Sequence, residues 1–487
     1  MLEHIAPWLV AFQWIVFAYF LVLNTSYTAI TLYAFRYVGV GRAAAGELDQ
    51  LRHRMAGANA RPISVLVPAY NEALTIIDTV QSALEAQYPE HEVIVIDDGS
   101  TDDTLARLVA RFDARPVERP VLRQLRHQPV AATYLSALHP NLWILSKRNG
   151  GKADALNAGI EFSGYPLVCA IDADTLLEPD ALLRLGQQFT YDKRLVALGG
   201  AVRVLNGCTV EGSRVVERHA PRGVIECTQA AEYIRGFLAG RVASQRFRSL
   251  LIISGAFGLF RKDLLLAIGG YRETVGEDKD VVIRLHRHCI DEHIDYHVGF
   301  VPEPVCWTQV PGDLGSLLQQ RNRWQRGLID SLWHSRGMCC NPRYGIVGML
   351  GFPYFLFFEL LGPVVEFLGY AGFLVMALLG WIDPAIALLF FVVAVLWGMW
   401  LNVAAALIDS MVLHRYRRLK DTLRIALWGS LEFLGFRQLL TVERLIGTFH
   451  VRHSGWGRVR RRPHGHDAAT PVNKAPEAAA PGDESAP

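Results

Sequence analysis

The sequence predicts an α/β domain with a doubly wound parallel sheet, flanked on both sides by α-helical membrane segments. Short apolar runs alternate with helical patterns between about residues 41 and 344, and strongly apolar stretches flank that region at residues 8–35 and 346–413. Such alternation is typical of parallel sheets covered by helices on both faces. A chain of 487 residues with 51% hydrophobic residues is also unusually apolar for a purely soluble protein.

The first apolar stretch, residues 8–35, contains no charged side chain and exceeds the roughly 20 residues that span a bilayer. Residues 1–7 lack Lys and Arg, whereas Arg36 and Arg42 follow the stretch, so the positive flank should stay in the cytoplasm. The stretch is too long for a signal peptide and lacks its basic start. We therefore predict an uncleaved anchor at residues 1–40.

A second membrane region is predicted at residues 345–413. It is broken at residues 380–384 by a turn without Lys or Arg, while Arg343 precedes the region and Arg415 follows it. Basic residues on both outer flanks predict two helices that cross and return, with the turn outside.

Residues 414–462 are predicted to form a basic loop and an interfacial or re-entrant helix at about 423–449. Charges interrupt that helix and both its flanks are basic, so a single crossing would place one basic flank outside. Glu359 and Glu366 would share a helix face, either lining a polar path or pairing with neighbours. Residues 463–487 are polar and predicted to be disordered.

Between these regions lies the predicted sheet, residues 41–344. Buried strands are predicted at residues 63–67, 92–96, 142–145 and 167–171. Intervening helices are predicted at residues 73–86, 104–112, 152–162 and 179–189. Residues 111–138, rich in Pro and Arg, are predicted to be an inserted loop. Ligands of such sheets bind at the carboxyl ends of the strands.

Acidic side chains stand where these strands end. Asp172 and Asp174 occupy alternate positions after an apolar strand, so both can reach one divalent ion that bridges two phosphates. Mg²⁺ and Mn²⁺ prefer such hard oxygen ligands. We predict that Asp174 binds the metal and that Asp172 contacts the ribose or the metal.

In their order along the chain, the motifs of this region resemble those of membrane-bound, processive family 2 glycosyltransferases, such as cellulose, hyaluronan, chitin and poly-N-acetylglucosamine synthases. The motifs are VPAYNE (67–72), DDGS (97–100), NGGKADALN (149–157), DAD (172–174), SGAFGLFR (254–261), GED (276–278) and QRNRW (320–324). The resemblance implies a cytoplasmic GT-A domain at the inner membrane. Its implied reaction is inverting transfer from a UDP-sugar donor to a growing β-linked glycan acceptor with Mg²⁺ or Mn²⁺.

On this resemblance, Asp98 contacts the uracil or the ribose, although DDGS alone is also a common strand-to-helix turn. Tyr70 and Glu72 would lie on the same rim. Lys152 opens a helix whose N-terminus favours anions, after glycines that let the backbone approach a phosphate. These residues are therefore predicted to bind the nucleotide sugar.

Asp278 matches the base that removes a proton from the acceptor hydroxyl, and Glu277 is predicted to bind the acceptor. Gly276 departs from the Thr that is common in the family's motif. Without the other motifs, Glu277 and Asp278 would be an ordinary acidic helix start.

Gln320, Arg323 and Trp324 fall at i, i+3 and i+4, so they share one face of a helix. Arg323, with Gln320, is predicted to bind the leaving diphosphate, and Trp324 to stack on a sugar of the acceptor. The alternative is an interfacial helix with Arg at lipid phosphates and Trp as an anchor. By resemblance, QxxRW marks polymerising members.

Two other functions remain open at this stage: a non-processive transferase that makes a glycolipid, and an inactive sugar-nucleotide sensor or scaffold. A net charge of +2 gives no reason to expect nucleic acid as a partner. The expected partners are the donor, the glycan and the lipid membrane, with an export protein or a homo-oligomer as additional candidates.

Overall fold

The computed structural model describes residues 2–41, 60–121, 123–413, 416 and 418–450. A sheet region lies between helices at both ends of the chain. Its strands are β1 (Ile63–Ala69), β2 (His91–Asp97), β3 (Ala114–Pro116), β4 (Val130–Ser136), β5 (Leu142–Lys147), β6 (Leu167–Ile171), β7 (Thr175–Leu177), β8 (Leu195–Val204), β9 (Thr209–Glu211), β10 (Arg214–Glu217), β11 (Phe257–Arg261) and β12 (His297–Thr308). Its α-helices are Ile76–Leu84, Thr104–Arg111, Lys152–Phe162, Ala181–Tyr191, Val224–Ile234, Val242–Arg246, Lys262–Ala267, Glu277–Asp291 and Leu314–His334.

The main sheet has the order β3-β4-β5-β2-β1-β6-β11-β8-β12-β7. Its parallel part, β5-β2-β1-β6, consists of the four strands that the apolar runs predicted, and their prediction is confirmed. Ala69 pairs with Asp97, and Asp97 pairs with Ser146, so the carboxyl ends of β1, β2 and β5 meet at one edge. The loops that follow these strands therefore start side by side.

The prediction of an inserted loop at residues 111–138 is wrong for much of that segment. It contains β3 and β4, which extend the sheet by antiparallel pairing onto β5. Most of β4 is only partly buried, so it lacks the continuous apolar run that marks a central strand. Pro116 lies in the outermost strand, where proline is tolerated because no ladder hydrogen bond is needed on the free side.

The other half of the sheet joins distant parts of the sequence. β11, from SGAFGLFR, runs antiparallel between β6 and β8 and is almost fully buried. β12 pairs with β8 and with the short β7 that follows Asp174. The helix Leu314–His334, which carries QRNRW, follows β12 directly. Because Thr308 at the end of β12 pairs with Thr175, the segment that leads into the QRNRW helix starts beside Asp174.

Outside the sheet region, the described residues contain two helices long and apolar enough to cross a membrane, Pro7–Tyr37 and Pro384–Met411. Val347–Leu360 and Gly362–Leu378, which meet at 40°, add a third span if they are counted as one. The apolar stretches that predicted membrane helices are thus helical. The bend lies at Gly362-Pro363, where proline removes a backbone donor.

The segment at 423–449 forms two helices rather than one, Leu419–Leu431 and Phe436–Phe449. Gly435, the N-cap residue just before the second helix, has φ 119°, a conformation that other residues rarely adopt. Neither helix is among the candidate spans of the described chain. The predicted tail at 463–487 lies outside the described residues.

The two glutamates of the membrane region pair with this last helix. Arg437 Nη2 donates to Glu366 Oε1 at 2.5 Å, and Thr441 Oγ1 donates to Glu366 Oε2 at 3.1 Å. Arg444 Nη2 donates to the backbone oxygen of Glu359 at 2.5 Å. Of the two alternatives from the sequence, pairing with neighbours is therefore found, and both glutamates also line the cavity described below.

A buried ion pair fastens the sheet region to the C-terminal helices. Arg203 in β8 donates to Asp409 at 2.5 Å, and both side chains are 2% exposed. We expect Asp409→Asn to lower the free energy of unfolding by about 3–5 kcal/mol, because it leaves the buried guanidinium without a countercharge. Thermal melting in detergent measures this. Asp113→Asn, in an exposed pair with Arg115, should leave the melting temperature unchanged, and equal shifts would contradict the assignment.

Candidate active site

One cavity of about 1150 Å³ opens at the carboxyl ends of the strands and continues between the helices of the C-terminal region. Every site residue predicted from the sequence lines it: Tyr70, Glu72, Asp98, Lys152, Asp172, Asp174, Glu277, Asp278, Gln320, Arg323 and Trp324. Residues far apart in sequence therefore face a common space, as one bound substrate pair requires.

The rim of the cavity is built by the loops after β1 and β2. Asn71, at φ 57°, accepts from the backbone N–H of Thr101 through its side-chain oxygen at 2.8 Å, so the two loops hold each other. Thr75 donates to Glu72 at 3.1 Å, while the Tyr70 side chain is about half exposed. An aromatic face and a fixed carboxylate thus border the entrance.

Asp98 sits behind this rim and is nearly fully buried. Its carboxylate accepts from the backbone N–H of Gly151 at 2.7 Å and of Gly150 at 3.1 Å, and from Lys147 Nζ at 2.5 Å. Burial raises the pKa of Asp98, against the opposing effect of Lys147. Most of the hydrogen-bonding capacity of Asp98 is therefore used within the protein.

Asp172 and Asp174 follow β6 in a turn held from two sides. Thr79 Oγ1 donates to the backbone oxygen of Ala173 at 2.9 Å, and Thr308 Oγ1 lies 3.4 Å from Asp174 Oδ1. Asp174 is 2% exposed, whereas a third of the Asp172 side chain is open to the cavity. The turn is fixed by neighbouring elements, which suits carboxylates that must hold a set position.

Lys152 connects Asp172 to Glu277 in the first turn of the helix Glu277–Asp291. Its Nζ lies 2.6 Å from Asp172 Oδ1 and 3.1 Å from Glu277 Oε1. Burial disfavours the charge on Lys152, but Asp172 and Glu277 outweigh it and raise the pKa of the ammonium. Burial raises the pKa of Glu277, while Lys152 lowers it and Asp278 raises it further.

Glu277 and Asp278 form the first turn of the helix Glu277–Asp291, where the helix dipole favours negative charge. The helix Leu314–His334 packs directly against this start: a β-carbon on Gly276 would lie 2.6 Å from the backbone oxygen of Gly327. Ser331 Oγ also donates to the backbone oxygen of Gly276 at 3.2 Å. The glycine in GED therefore permits a close approach that fixes Asp278 relative to QRNRW.

Gln320, Arg323 and Trp324 lie on one cavity-lining face of this helix, as the spacing predicts. The Trp324 ring is held by Arg321, whose guanidinium carbon lies 4.4 Å from the ring centre. Arg321 is itself buried and pairs with Glu232 at 2.5 Å, so it is a packing residue rather than a contact to lipid. The orientation of the Trp324 ring is thus fixed by a neighbouring side chain.

The carboxylates fit a hard divalent cation. Asp172 and Asp174 supply oxygen donors, while the described residues contain no group of three or more His, Cys, Asp or Glu side chains that could hold a metal. Mg²⁺ sites commonly combine one or two carboxylates with water and substrate phosphates. A cation here would need the diphosphate of the donor to complete its ligands.

Two residues of the site were not identified from the sequence, one that lines the cavity and one that lies beneath it. Arg241 lines the cavity with its guanidinium carbon 3.8 Å from the centre of the Phe237 ring. Burial lowers the pKa of Arg241 to about 10, although Asp278 counteracts this. Lys147 is buried beneath Asp98. The sequence did contain a signal for Lys147. It ends the strand that lies beside the one ending at DDGS, and adjacent parallel strands end at the same edge of a sheet.

Comparison with known proteins gives three results. The family described as "Glycosyltransferase like family 2" matches residues 60–327. A poly-beta-1,6-N-acetyl-D-glucosamine synthase from Staphylococcus epidermidis is 30% identical over 275 residues, 56% of this chain and 56% of that protein. One of the same name from Staphylococcus aureus (strain COL) is 30% identical over 267 residues, 54% of each. The chain thus spans about half the length of the curated relatives it matches.

Among solved structures, a mannosyltransferase from Pyrobaculum calidifontis in complex with GDP-Man and Mn²⁺ aligns with a TM-score of 0.50. The alignment covers 87% of this chain and 99% of that chain, at 19% sequence identity. At this identity the likeness concerns the fold alone.

Proposed function

Because the chain belongs to glycosyltransferase family 2 and has its GT-A fold, we propose that it is an inverting, processive membrane glycosyltransferase. It moves a sugar from a UDP-sugar to a growing β-linked polysaccharide. One observation carries the proposal: Asp174, Asp278 and Arg323, from three distant segments, line a single cavity. The names of the curated relatives favour N-acetylglucosamine as the transferred sugar.

The donor binds along the strand ends. Tyr70, Glu72 and Asp98 border the nucleoside, and Asp98 contacts the uracil or the ribose while it also holds the glycine loop. The N-terminus of the helix Lys152–Phe162 faces the diphosphate. Asp172 and Asp174 would hold Mg²⁺ or Mn²⁺, which supplies positive charge to the departing diphosphate.

Asp278 acts on the acceptor. Its carboxylate removes the proton from the acceptor hydroxyl as the oxygen attacks the anomeric carbon opposite the UDP, so the configuration inverts. It lies in the first turn of the helix Glu277–Asp291, on the wall of the cavity. Glu277, bound to Lys152, positions the acceptor end of the site.

Arg323 and Gln320 bind the leaving diphosphate, since a guanidinium can donate two parallel hydrogen bonds to a phosphate. Trp324 on the same helix face stacks on a sugar of the acceptor. A pocket that grips the product next to the leaving group suits repeated addition without release, which supports the polymerising function over a single transfer.

We infer that the protein lies in the inner membrane with the sheet region in the cytoplasm, where UDP-sugars are made and where the basic flanks belong. The cavity continues past the active site to Tyr27, Glu366 and Arg437, which supports passage of the glycan in that direction. Because the described residues contain only two or three candidate spans, we propose that a homo-oligomer or an export protein completes the path.

The test is an assay of purified protein in detergent with Mg²⁺ or Mn²⁺ and a panel of UDP-sugars, measuring UDP release and the size of labelled product. We expect one or two donors to support turnover and to give a polymer. A product carrying a single sugar on lipid would instead establish the glycolipid function. If no donor gives UDP release, the transferase function is wrong and an inactive sugar-nucleotide-binding protein is the remaining interpretation.

A further inference from the structure

Lys147 is a buried cation that the catalytic steps above do not use. Its side chain is 0% exposed, and its Nζ lies 2.5 Å from Asp98 Oδ1 and 2.5 Å from Asp154 Oδ1. It also donates to the backbone oxygen of Arg148 at 2.7 Å. All three donor directions of the ammonium therefore have an acceptor, and no substrate can reach it directly.

The first partner of Lys147, Asp98, organises the turn before the helix Lys152–Phe162. Its carboxylate accepts the backbone N–H groups of Gly150 and Gly151, and its backbone oxygen accepts from Asn149 Nδ2 at 2.8 Å. Gly151 is held at φ 89°. The turn that delivers Lys152 to the cavity is thus shaped on the carboxylate of Asp98.

The second partner, Asp154, belongs to the first turn of the same helix. It accepts from the backbone N–H of Gln128 at 2.9 Å, and it lies so close to Gly150 that a β-carbon there would meet it at 2.4 Å. Two carboxylates near one helix start repel each other unless a cation stands between them. Lys147 provides that cation at the end of β5.

We propose that Lys147 is a positioning residue for the nucleotide donor. It neutralises Asp98 and Asp154 and so keeps Asp98 against the glycine turn, which fixes the helix N-terminus and Lys152 where the diphosphate binds. The inference rests on the proposed function, because it concerns the donor of the same reaction. Lys147 would therefore contribute to nucleotide binding without contacting the nucleotide itself.

The test measures UDP affinity by titration calorimetry and kcat and KM by UDP release. Lys147→Met, which removes the cation at similar volume, should raise the Kd for UDP and the KM for the UDP-sugar about 10- to 100-fold, as loss of charge-assisted hydrogen bonds does. The kcat should change by less than about threefold, because Asp278 and Arg323 are untouched. Lys193→Met, at an exposed lysine of the same domain, should behave as the unmodified protein.

Two further variants separate positioning from general stability. Asp154→Asn removes a charge from the same cluster but leaves Asp98 on the glycines, so it should change the Kd for UDP by less than about threefold. Lys147→Met combined with Asp98→Asn should bind UDP no more weakly than Asp98→Asn alone, because the lysine acts through that carboxylate. If Lys147→Met does not fold, Lys147→Gln, which also removes the cation, replaces it in the same titration and must bind UDP more weakly than Asp154→Asn.

Unchanged UDP affinity in the Lys147 variants, a loss in kcat alone, or effects that add to those of Asp98→Asn would overturn the inference. These outcomes presuppose an unmodified protein that binds UDP and turns over a UDP-sugar. If the unmodified protein does neither, it is the proposed function that fails.

Discussion

Replacing Asp278 by Asn should reduce sugar transfer by about 10²- to 10⁴-fold in kcat while leaving UDP binding unchanged. The amide keeps the size of the side chain but cannot accept the proton of the attacking hydroxyl, and a positioned base contributes roughly 10² to 10⁴ in rate. Asp278 lies at the start of the helix Glu277–Asp291 on the wall of the cavity, and its substitution leaves the Asp98 carboxylate and the glycine turn that it holds unaltered. UDP release and UDP titration on the same preparation measure both quantities.

Glu273→Gln is the matched control, since it removes one negative charge from an exposed position just upstream of the same helix. It should retain full activity. Appreciable turnover by Asp278→Asn would show that another group accepts the proton, and Glu277 would then be the first residue to test.

Replacing Asp174 by Asn should remove most of the activity by a different route. The variant loses a charged oxygen that would hold the divalent cation, so stabilisation of the departing diphosphate falls, and we expect a loss of about 10²–10³-fold in kcat. The diagnostic readout is binding: UDP affinity of the unmodified protein should rise with Mn²⁺ and fall with a chelator, whereas the affinity of Asp174→Asn should respond to neither.

The control for Asp174 is Glu118→Gln, an exposed carboxylate that does not line the cavity, which should keep the full response to Mn²⁺. A Mn²⁺ response in Asp174→Asn equal to that of the unmodified protein would remove this residue from the metal site.

Much of the parallel core could be predicted because burial leaves a direct mark on the sequence. β1 and β6 are almost fully buried and consist almost entirely of apolar residues, and β2 contains a buried apolar run at residues 93–96. The acidic motifs come at their carboxyl ends, where a parallel sheet must bind its ligand. The N-terminal helix could be predicted from the length of its apolar stretch and its lack of charged residues.

What escaped prediction depends on contacts between elements rather than on a local sequence pattern. β4 is stabilised by pairing with β5 and has little apolar pattern of its own. Lys147 would ordinarily be assigned to the surface, because lysine is seldom buried, and only its two carboxylate partners make its position tolerable.

In the membrane region too, contacts between helices could not be predicted from the local sequence. Charges near its end argued against a simple crossing, but the pairing of Arg437 with Glu366 joins two helices whose contact no local pattern encodes. The bend at Gly362-Pro363 could have been expected from proline, whereas the division into Leu419–Leu431 and Phe436–Phe449 depends on Gly435.

An experimental structure with UDP and Mn²⁺ bound tests the central claim most directly. We expect the ion between Asp174 and the diphosphate, the guanidinium of Arg323 within hydrogen-bond distance of the diphosphate, and Asp278 across the space left for the sugar. A diphosphate bound elsewhere, with Arg323 or Asp174 beyond contact distance, would contradict the assignment of this cavity as the site of transfer.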